Sequence, residues 1–250
     1  MNLKGNTIFI TGGGSGIGRG LAEALHKRGN QVIISGRRKS HLEATTKANP
    51  GMTSVELDLQ NPESIASAAK TLIAQYPKLN VLINNAGIMQ VDDASRAVDD
   101  ALLVSTVNTN LVGSIRVTSA FIEHFKKQPS ATIIYNTSVL AYVPLAISAV
   151  YCSTKAALHS YVLSQRYRLQ NTAVRVLEIA PPWVQTDLLG SNDEPRAMPL
   201  ADFIEEAVRL LGTDAQEIIV ERAKVFRSNP GPNEEALITQ VNDSMLQPQS

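Results

Sequence analysis

The sequence predicts an α/β protein in which one parallel sheet is covered by helices on both faces. Two observations support this: short apolar runs typical of strands alternate with amphipathic helical patterns, and a glycine-rich turn follows the first run. Parallel strands need crossover connections, which the helices supply. With 250 residues, 44% of them hydrophobic, we expect residues 1–250 to form a single doubly wound domain with a sheet of about seven strands.

The first half of the chain alternates regularly between strands and helices. Strands are predicted at residues 7–10, 31–35, 54–59 and 80–85. The first helix follows the glycine turn, carries Leu21 and Leu25 on one face and ends near Gly29, a residue suited to a helix C-terminus. Two further helices are predicted at about residues 39–48 and from Pro62 onward.

The second half of the chain continues the alternation and ends in a more polar segment. A long helical region is predicted to about residue 127. Strands follow at residues 131–138, 173–180 and 217–220, with helices between them at about residues 151–170 and 200–211. Residues 190–199 are polar and contain two prolines, which predicts an exposed loop, so we assign about residues 186–212 to a substrate loop or lid with its helix. About residues 228–250 are predicted to be a C-terminal tail.

Composition narrows the classes of partner. Lys plus Arg and Asp plus Glu each number 23, so there is no basic excess for nucleic acid or an anionic membrane. The four His and the single Cys152 form no metal-binding motif, and we expect no metal. The most apolar stretch, residues 140–151, is too short to span a bilayer. A lone cysteine and the absence of a signal-peptide pattern favour the cytoplasm.

The glycine-rich turn TGGGSGIG predicts a nucleotide site. Gly12, Gly16 and Gly18 follow a strand and open a helix, where glycine allows a tight turn and close approach of a pyrophosphate. The spacing differs from the common GxGxxG and, as TGxxxGxG, resembles the short-chain dehydrogenase/reductase family. The resemblance runs from Thr7 to about Leu189 and implies a Rossmann fold and a nicotinamide cofactor.

The end of the second strand bears on the choice between NAD and NADP. A carboxylate there would bind the ribose 2′-hydroxyl of NAD, but the residue is Gly36, followed by Arg37 and Arg38. A guanidinium can bind the 2′-phosphate of NADP, so NADP is the expected cofactor. The alternative is that both arginines are ordinary solvated loop residues.

Further motifs agree with the family in order along the chain. Asp58 resembles the family's adenine-edge contact and is alternatively an N-cap for the helix after Pro62. NNAG at residues 84–87 is a family signature, and PPWVQTDL resembles PGxVxT, with Pro182 replacing the usual glycine. The residues that the resemblance assigns to the cofactor are Gly12, Gly14, Ser15, Gly16, Ile17, Gly18, Arg37, Arg38, Asp58, Leu59, Asn85, Ala86, Gly87, Tyr151, Lys155, Pro181, Val184 and Thr186.

Four residues are the candidate catalytic set. Tyr151 and Lys155 are four apart in YCSTK and so share one helix face, where an ammonium would lower the phenol's pKa from about 10. Ser138 ends a strand at the sheet edge where ligands bind in open parallel sheets. Asn110 matches the family's fourth catalytic residue, whose implied role is to hold a water that links Lys155 to solvent.

The resemblance implies a reversible carbonyl reduction. Ser138 and Tyr151 would polarise a carbonyl oxygen, the nicotinamide would deliver hydride, and Tyr151 would donate the proton. By the family's geometry the substrate would meet mostly apolar side chains, which favours a largely apolar ketone or aldehyde. The predicted pocket residues are Gln90, Leu140, Tyr142, Trp183 and Leu188. Trp183 is alternatively a packing residue under the lid.

Other interpretations of the chain remain open from sequence alone. A catalytically idle NADP-binding sensor or interaction protein is one alternative, and an enzyme acting on a cell-envelope or acyl substrate is another. The two helices at residues 104–127 and 151–170 resemble those that pair subunits in this family, so a homodimer or homotetramer is implied. The same apolar residues would equally suit the core.

Overall fold

The computed structural model of the protein describes residues 1–228 and 233–246. Seven parallel strands form one sheet in the order β3-β2-β1-β4-β5-β6-β7. The strands are β1 Thr7–Thr11, β2 Gln31–Gly36, β3 Thr53–Glu56, β4 Leu79–Asn84, β5 Ala131–Asn136, β6 Val174–Ile179 and β7 Glu217–Ile218. The chain starts at the centre of the sheet, winds outward to β3, returns to β4 and winds to the other edge. The predicted fold class is confirmed.

Helices cover both faces of the sheet. They are α1 Gly16–His26, α2 Lys39–Ala48, α3 Pro62–Gln75, α4 Asp100–Val107, α5 Ser114–Phe125, α6 Ala149–Leu169, α7 Leu200–Leu211, α8 Lys224–Arg227 and α9 Glu234–Leu246. Alternate residues of β1 explain the two layers: Ile8 and Ile10 pack with α1, α2 and α7, whereas Phe9 packs with α3, α5 and α6. Each strand therefore needs apolar side chains on both faces, which is why the strands are nearly continuous apolar runs.

The predicted boundaries differ from the structure in two places that matter for function. The long helical region before β5 is interrupted by a π-helical turn, Asn108–Gly113, between α4 and α5. The predicted polar tail contains α9, and buried Asn242 of this helix accepts a hydrogen bond from the backbone of Ala146 and donates one to Pro144. These hydrogen bonds attach α9 to the segment before α6, and a hydropathy pattern cannot predict such polar contacts. Residues 229–232 and 247–250 of the predicted tail lie outside the described residues.

The predicted substrate loop is held at both ends. Val184 and Met198 form an isolated parallel bridge, and the loop between them contains a short helical turn, Leu188–Asp193. After the loop, α7 packs against α1. In the described ranges 1–228 and 233–246, no helix has the length and apolar character needed to cross a membrane.

Candidate active site

A cleft of about 810 Å³ opens at the carboxyl ends of the strands. This is the edge at which open parallel sheets bind ligands. Every residue that the resemblance assigns to the cofactor lies in the cleft wall, from Gly12 in the first turn to Thr186 after β6. Ser138 also lies there, beside Tyr151 and Lys155. One cavity thus brings together residues that are far apart in the sequence.

The glycine turn packs too closely against its neighbours for side chains at two positions. Gly12 has a φ of 69°, and a Cβ there would lie 2.8 Å from the Cα of Ala86. A Cβ on Gly18 would lie 2.3 Å from both the Gly12 carbonyl oxygen and the Asn85 amide nitrogen. Helix α1 begins at Gly16, and in the described part of the chain the Ser15 side chain does not cap it. Its first N–H groups and its positive dipole end therefore suit a pyrophosphate.

Two arginines stand at the outer end of the cleft, beyond the end of β2. Strand β2 ends at Gly36, and Arg37 and Arg38 follow in the cleft wall. Arg38 donates a hydrogen bond to the Ser15 hydroxyl at 2.9 Å, so its guanidinium is held against the glycine turn. Both side chains are exposed, as a group that binds a phosphate from solvent must be.

The position of Asp58 resolves one alternative left open by the sequence. Helix α3 is capped by Asn61, whose side-chain oxygen accepts the N–H groups of Glu63 and Ser64 at 2.9 and 3.2 Å. Asp58 instead accepts the N–H of Gln60 at 3.0 Å and lies in the cleft wall. The proposed N-cap role of Asp58 is therefore wrong, because Asn61 is adjacent to the helix start and Asp58 is not.

Polar side chains fix the strand ends that form the floor of the cleft. The Thr11 hydroxyl accepts hydrogen bonds from the backbone N–H groups of Asn85 and Ala86 at 3.0 and 3.1 Å. The Asn85 amide donates to the carbonyl oxygen of Thr11 at 3.1 Å and accepts from the Asn136 amide at 2.8 Å. These bonds join the ends of β1, β4 and β5, so the cleft is already shaped before a ligand enters it.

Tyr151 and Lys155 occupy one face of α6, with the Lys155 Nζ 5.4 Å from the centre of the Tyr151 ring. Both residues are buried, and Lys155 donates a hydrogen bond to the Asn136 carbonyl oxygen at 2.8 Å. Burial lowers the pKa of Lys155 to about 8, and the negative charge of Glu178 opposes this change. The protonation state of Lys155 therefore depends on its burial and on the charge of Glu178.

The pKa of Tyr151 differs from the expectation. Burial raises it above its usual value, and a hydrogen bond with Ser138 opposes the increase. The expected lowering of this pKa by Lys155 is not seen, because the free-energy cost of removing the phenolate from water exceeds the stabilisation that neighbouring groups provide. Ser138 also accepts the backbone N–H of Leu140 at 3.1 Å, which fixes its hydroxyl beside Tyr151.

Asn110 lies in the π-helical turn and is almost fully buried. Its side chain accepts the N–H of Ile88 and donates to the carbonyl oxygen of the same residue, each at 2.8 Å, and it also donates to the Thr154 hydroxyl at 3.3 Å. The wider π turn turns this amide toward the segment after β4, a common use of such turns at functional sites. Asn110 therefore connects the Gly87–Ile88 segment to α6 behind the catalytic face.

The segment after β6 closes the cleft on the other side. The Pro181 carbonyl oxygen accepts the N–H of Val139 at 3.0 Å, which ties this segment to the turn after Ser138. Thr186 lies next to Gly16, whose Cβ position is 3.4 Å from the Thr186 side chain. Thr186 also accepts the N–H of Leu188 at 3.3 Å. The segment therefore spans the space from Ser138 to the glycine turn.

The predicted substrate residues divide into two groups. Leu140, Trp183 and Leu188 line the cleft. Within the part of the chain that the structure describes, Gln90 and Tyr142 are not in the cleft wall. Gln90 is exposed, and Tyr142 turns away because its ring packs against His159 and its hydroxyl bonds to Glu178.

Several residues near the site were not predicted from sequence. Leu145, Ile147, Phe226 and Val241 add apolar surface to the cleft wall, and Arg196 adds a guanidinium at its edge. Arg196 is an exception to the expected, mostly apolar lining; Glu194 pairs with it at 2.8 Å, and its guanidinium lies 5.1 Å from the Trp183 ring centre. Phe226 and Val241 belong to the loosely matching C-terminal region, where no sequence motif would have marked them.

The short chain dehydrogenase family matches residues 6–197 of this sequence. The chain belongs to this family. A similar curated protein, the uncharacterized oxidoreductase DltE of Bacillus subtilis (strain 168), is 35% identical over 248 residues, which are 97% of this chain and 98% of that protein. An NADP-dependent 3-hydroxy acid dehydrogenase of Schizosaccharomyces pombe is 28% identical over 248 residues, covering 92% of this chain and 95% of that one. The family predicted from the motifs is thus confirmed.

Two solved structures superpose on most of this fold. One from Burkholderia cenocepacia J2315, in complex with NADP, has a TM-score of 0.82 and 26% identity, covering 99% of this chain and all of that chain. A 3-ketoacyl-(acyl-carrier-protein) reductase from Brucella melitensis, complexed with NADH, has a TM-score of 0.78 and 26% identity, covering 85% and 93% of the two chains. Both structures therefore share the sheet and the helices around the cleft.

Proposed function

We propose that this short chain dehydrogenase is an NADP(H)-dependent enzyme that reversibly reduces a ketone or aldehyde to an alcohol. The observation that carries the proposal is the convergence of Ser138, Tyr151 and Lys155 in one cleft with the glycine turn. A hydroxyl pair with a buried ammonium beside it suits proton donation to a carbonyl oxygen. A member that had lost catalysis would have no need to retain this arrangement.

The cofactor proposal rests on the shape and charge of the cleft. Gly12 and Gly18 allow the turn to pack tightly, and the start of α1 that follows the turn lies in the cleft wall, where its N–H groups suit a dinucleotide pyrophosphate. Two similar structures contain nicotinamide dinucleotides, one NADP and the other NADH, which supports the class of cofactor. The preference for NADP is supported by Arg37 and Arg38 beyond β2, which ends in Gly36 rather than in a carboxylate.

The chain's own residues account for substrate activation and proton transfer. The nicotinamide supplies a hydride to the carbonyl carbon when it is bound. Ser138 and Tyr151 donate hydrogen bonds to the carbonyl oxygen, and Tyr151 transfers its proton to that oxygen as negative charge develops there. The Lys155 ammonium stabilises the phenolate that remains. Asn110 fixes the Ile88 segment against α6, so that a water near Lys155 can return the proton.

The proposed substrate is a largely apolar carbonyl compound. The cleft beyond Ser138 is walled by Leu140, Leu145, Trp183 and Leu188, which gain free energy by covering an aliphatic or aromatic group. Arg196 stands at the rim, where its charge is paired with Glu194. A carbonyl with an apolar body fits these surroundings better than a substrate with a strong negative charge.

We also propose that the protein is a homodimer or homotetramer and works in the cytoplasm. Leu103 and Val104 on α4 and Leu163 and Tyr167 on α6 are exposed at 40–69%, and such a group of apolar side chains favours association. Light scattering coupled to size-exclusion chromatography tests the oligomer, since a monomer at micromolar concentration would contradict it. The buried free Cys152 is compatible with a reducing compartment.

The direct test measures oxidation of NADPH and of NADH with a panel of ketones and aldehydes. We expect turnover with NADPH, weaker turnover with NADH, and loss of both in Tyr151→Phe, which keeps the ring but removes the proton donor. Tyr161→Phe is a matched control, because Tyr161 lies on the same helix but packs in the core away from the cleft. NADPH binding without turnover in the wild type would contradict the reductase and favour a cofactor-binding role.

A further inference from the structure

A buried carboxylate lies behind the catalytic residues and has no part in the proton transfer described above. Glu178 on β6 is fully buried. It accepts a hydrogen bond from the Thr137 hydroxyl at 2.6 Å and another from the His159 ring at 2.8 Å. The Tyr142 hydroxyl is a third donor at 3.5 Å. A carboxylate removed from water is costly unless it is well paired, so this position requires a physical explanation.

Both close donors are neighbours of catalytic residues. Thr137 immediately precedes Ser138, and its backbone N–H also binds the Ile179 carbonyl oxygen on β6 at 2.8 Å. His159 lies one helical turn after Lys155 on α6. Glu178 therefore connects the strand end that carries the serine to the helix that carries the tyrosine and the lysine.

The charge of Glu178 also bears on Lys155. The Lys155 ammonium is buried and its hydrogen bond goes to the neutral carbonyl oxygen of Asn136. The nearest ring on its own helix is that of Tyr151, which is uncharged as the phenol. Burial favours the neutral amine of Lys155, and Glu178 is the negative charge that opposes it.

The other charged groups near Glu178 have hydrogen-bond partners of their own. Glu217 on β7 is the register partner of Glu178, but it binds Arg227 at 2.8 and 3.2 Å. Arg227 also lies over the Tyr142 ring at 5.0 Å. Arg166 of α6 donates to backbone carbonyl oxygens, those of Val176 and Gln216. Among the described residues, Glu178 thus has the hydrogen-bond donors Thr137, Tyr142 and His159, and its charge favours the cationic forms of both Arg227 and Lys155.

We propose that Glu178 is a positioning residue of the active site, which aligns the Ser138 turn with α6 through Thr137 and His159 and sets a buried negative charge beside the helix that carries Lys155. The inference rests on the proposed reductase function, because it assigns Glu178 a role through Lys155 and Tyr151. A purely structural role would need only the hydrogen bonds, and a glutamine amide could accept the one from Thr137. The charge is what distinguishes the two roles.

The test compares Glu178→Gln with Glu217→Gln in the full-length protein. The second variant is a matched control, because it removes an equal charge from the register partner one strand further along the sheet. The readout is the pKa of Lys155 from a nuclear magnetic resonance titration of ¹³Cε-labelled lysine, with the resonance assigned from Lys155→Met. We expect the Lys155 pKa to fall by about half a unit or more in Glu178→Gln and to stay within about 0.2 of wild type in Glu217→Gln.

The kinetic arm uses reduction with saturating NADPH. Reduction needs the Lys155 ammonium, so a lower pKa moves the alkaline decline of kcat to lower pH by the same amount, with the KM for NADPH within about twofold of wild type. Glu178→Asp retains the charge one methylene further back, so we expect a smaller shift in the same direction. If Glu178→Gln does not fold by circular dichroism, this aspartate variant takes its place in both arms.

The two readouts separate the inference from the function on which it rests. An unchanged or raised Lys155 pKa in the folded Glu178 variant would overturn the positioning role, whatever the activity. An equal shift in Glu217→Gln would overturn it as well, because a general loss of charge would then explain the effect. A wild type without any turnover would contradict the proposed function alone, since the titration does not depend on turnover.

Discussion

Asp92 and Val150 are joined by a hydrogen bond of 2.9 Å from the Val150 N–H to the Asp92 carboxylate. The second carboxylate oxygen accepts the N–H of Ala149 at 3.0 Å. Within the described residues, the Ser148 side chain makes no capping bond at this helix start. Helix α6 therefore begins on a carboxylate supplied by the segment after β4, two residues before Tyr151.

Loss of this cap is expected to destabilise the protein. Asp92→Ala leaves two N–H groups at the positive end of α6 without their acceptor, so the free energy of unfolding should fall by about 1–2 kcal/mol. Urea denaturation followed by circular dichroism measures this change. The control is Asp93→Ala, because Asp93 is exposed and its side chain binds its near neighbours Ser95 and Arg96. Equal losses in both variants would contradict a capping role for Asp92.

Arg37 and Arg38 are expected to decide between NADPH and NADH. Arg37→Ala and Arg38→Ala each remove a cation that can bind the 2′-phosphate, so the KM for NADPH should rise by about tenfold or more while that for NADH changes little. Steady-state kinetics with both cofactors provide the measurement. Arg28→Ala is the control, since Arg28 binds the Ala24 carbonyl oxygen on the surface of α1. Parallel increases for NADPH and NADH would argue against a phosphate contact.

Trp183 is expected to set the size of the substrate. Its ring lines the cleft beneath Arg196, so Trp183→Ala should remove apolar contact surface from bulky ketones and leave small ones largely unaffected. We expect kcat/KM to fall by about tenfold or more for an aromatic ketone and by less than about threefold for acetone. If the losses were equal across the panel, Trp183 would be a packing residue and not part of a specific pocket.

Lys155 should give the protein a pH-dependent stability. Burial lowers its pKa from the ordinary value of 10.5 to about 8. Between these pH values the unfolded chain holds a proton that the native state has released, so the free energy of unfolding rises with pH. Lys155→Met lacks this titration. Wild type should therefore gain stability relative to the variant between roughly pH 8 and 10.5, measured by urea denaturation. A difference that stays constant with pH would contradict the lowered pKa.

Much of the fold was predictable because it depends on local patterns. Apolar periodicity marked the strands and helices, since each strand of a sheet buried on both faces must be almost wholly apolar. The strand ends were less predictable: β3 ends at Glu56, although the apolar Leu57 and Leu59 beyond it pack in the core and the Leu57 N–H still bonds to the Gly36 carbonyl oxygen of β2 at 3.1 Å. Side chains can satisfy burial outside a strand, so hydropathy alone does not define where backbone pairing ends.

The residues of the candidate site were likewise predictable where a local pattern marks them and unpredictable where distant contacts define them. Gly12 and Gly18 were predictable because a turn without space for a Cβ admits few other residues. The roles of Glu178 and His159 were not, because each lies in an ordinary strand or helix pattern and acquires its chemistry from a partner distant in sequence. Tyr142 was misplaced for the same reason: its contacts with His159 and Glu178, not its position after Ser138, decide where its ring lies.

The hydrogen bonds between Asn242 and the segment around Ala146 attach the C-terminal helix to the cleft, and this helix is synthesised last. Residues assigned to the cofactor all precede residue 187, whereas Phe226 and Val241 complete the cleft wall from the end of the chain. During synthesis, the nucleotide half of the cleft therefore leaves the ribosome well before the substrate half is closed. A nascent chain arrested after α7 should already bind the dinucleotide, and its substrate pocket should still be open on one side.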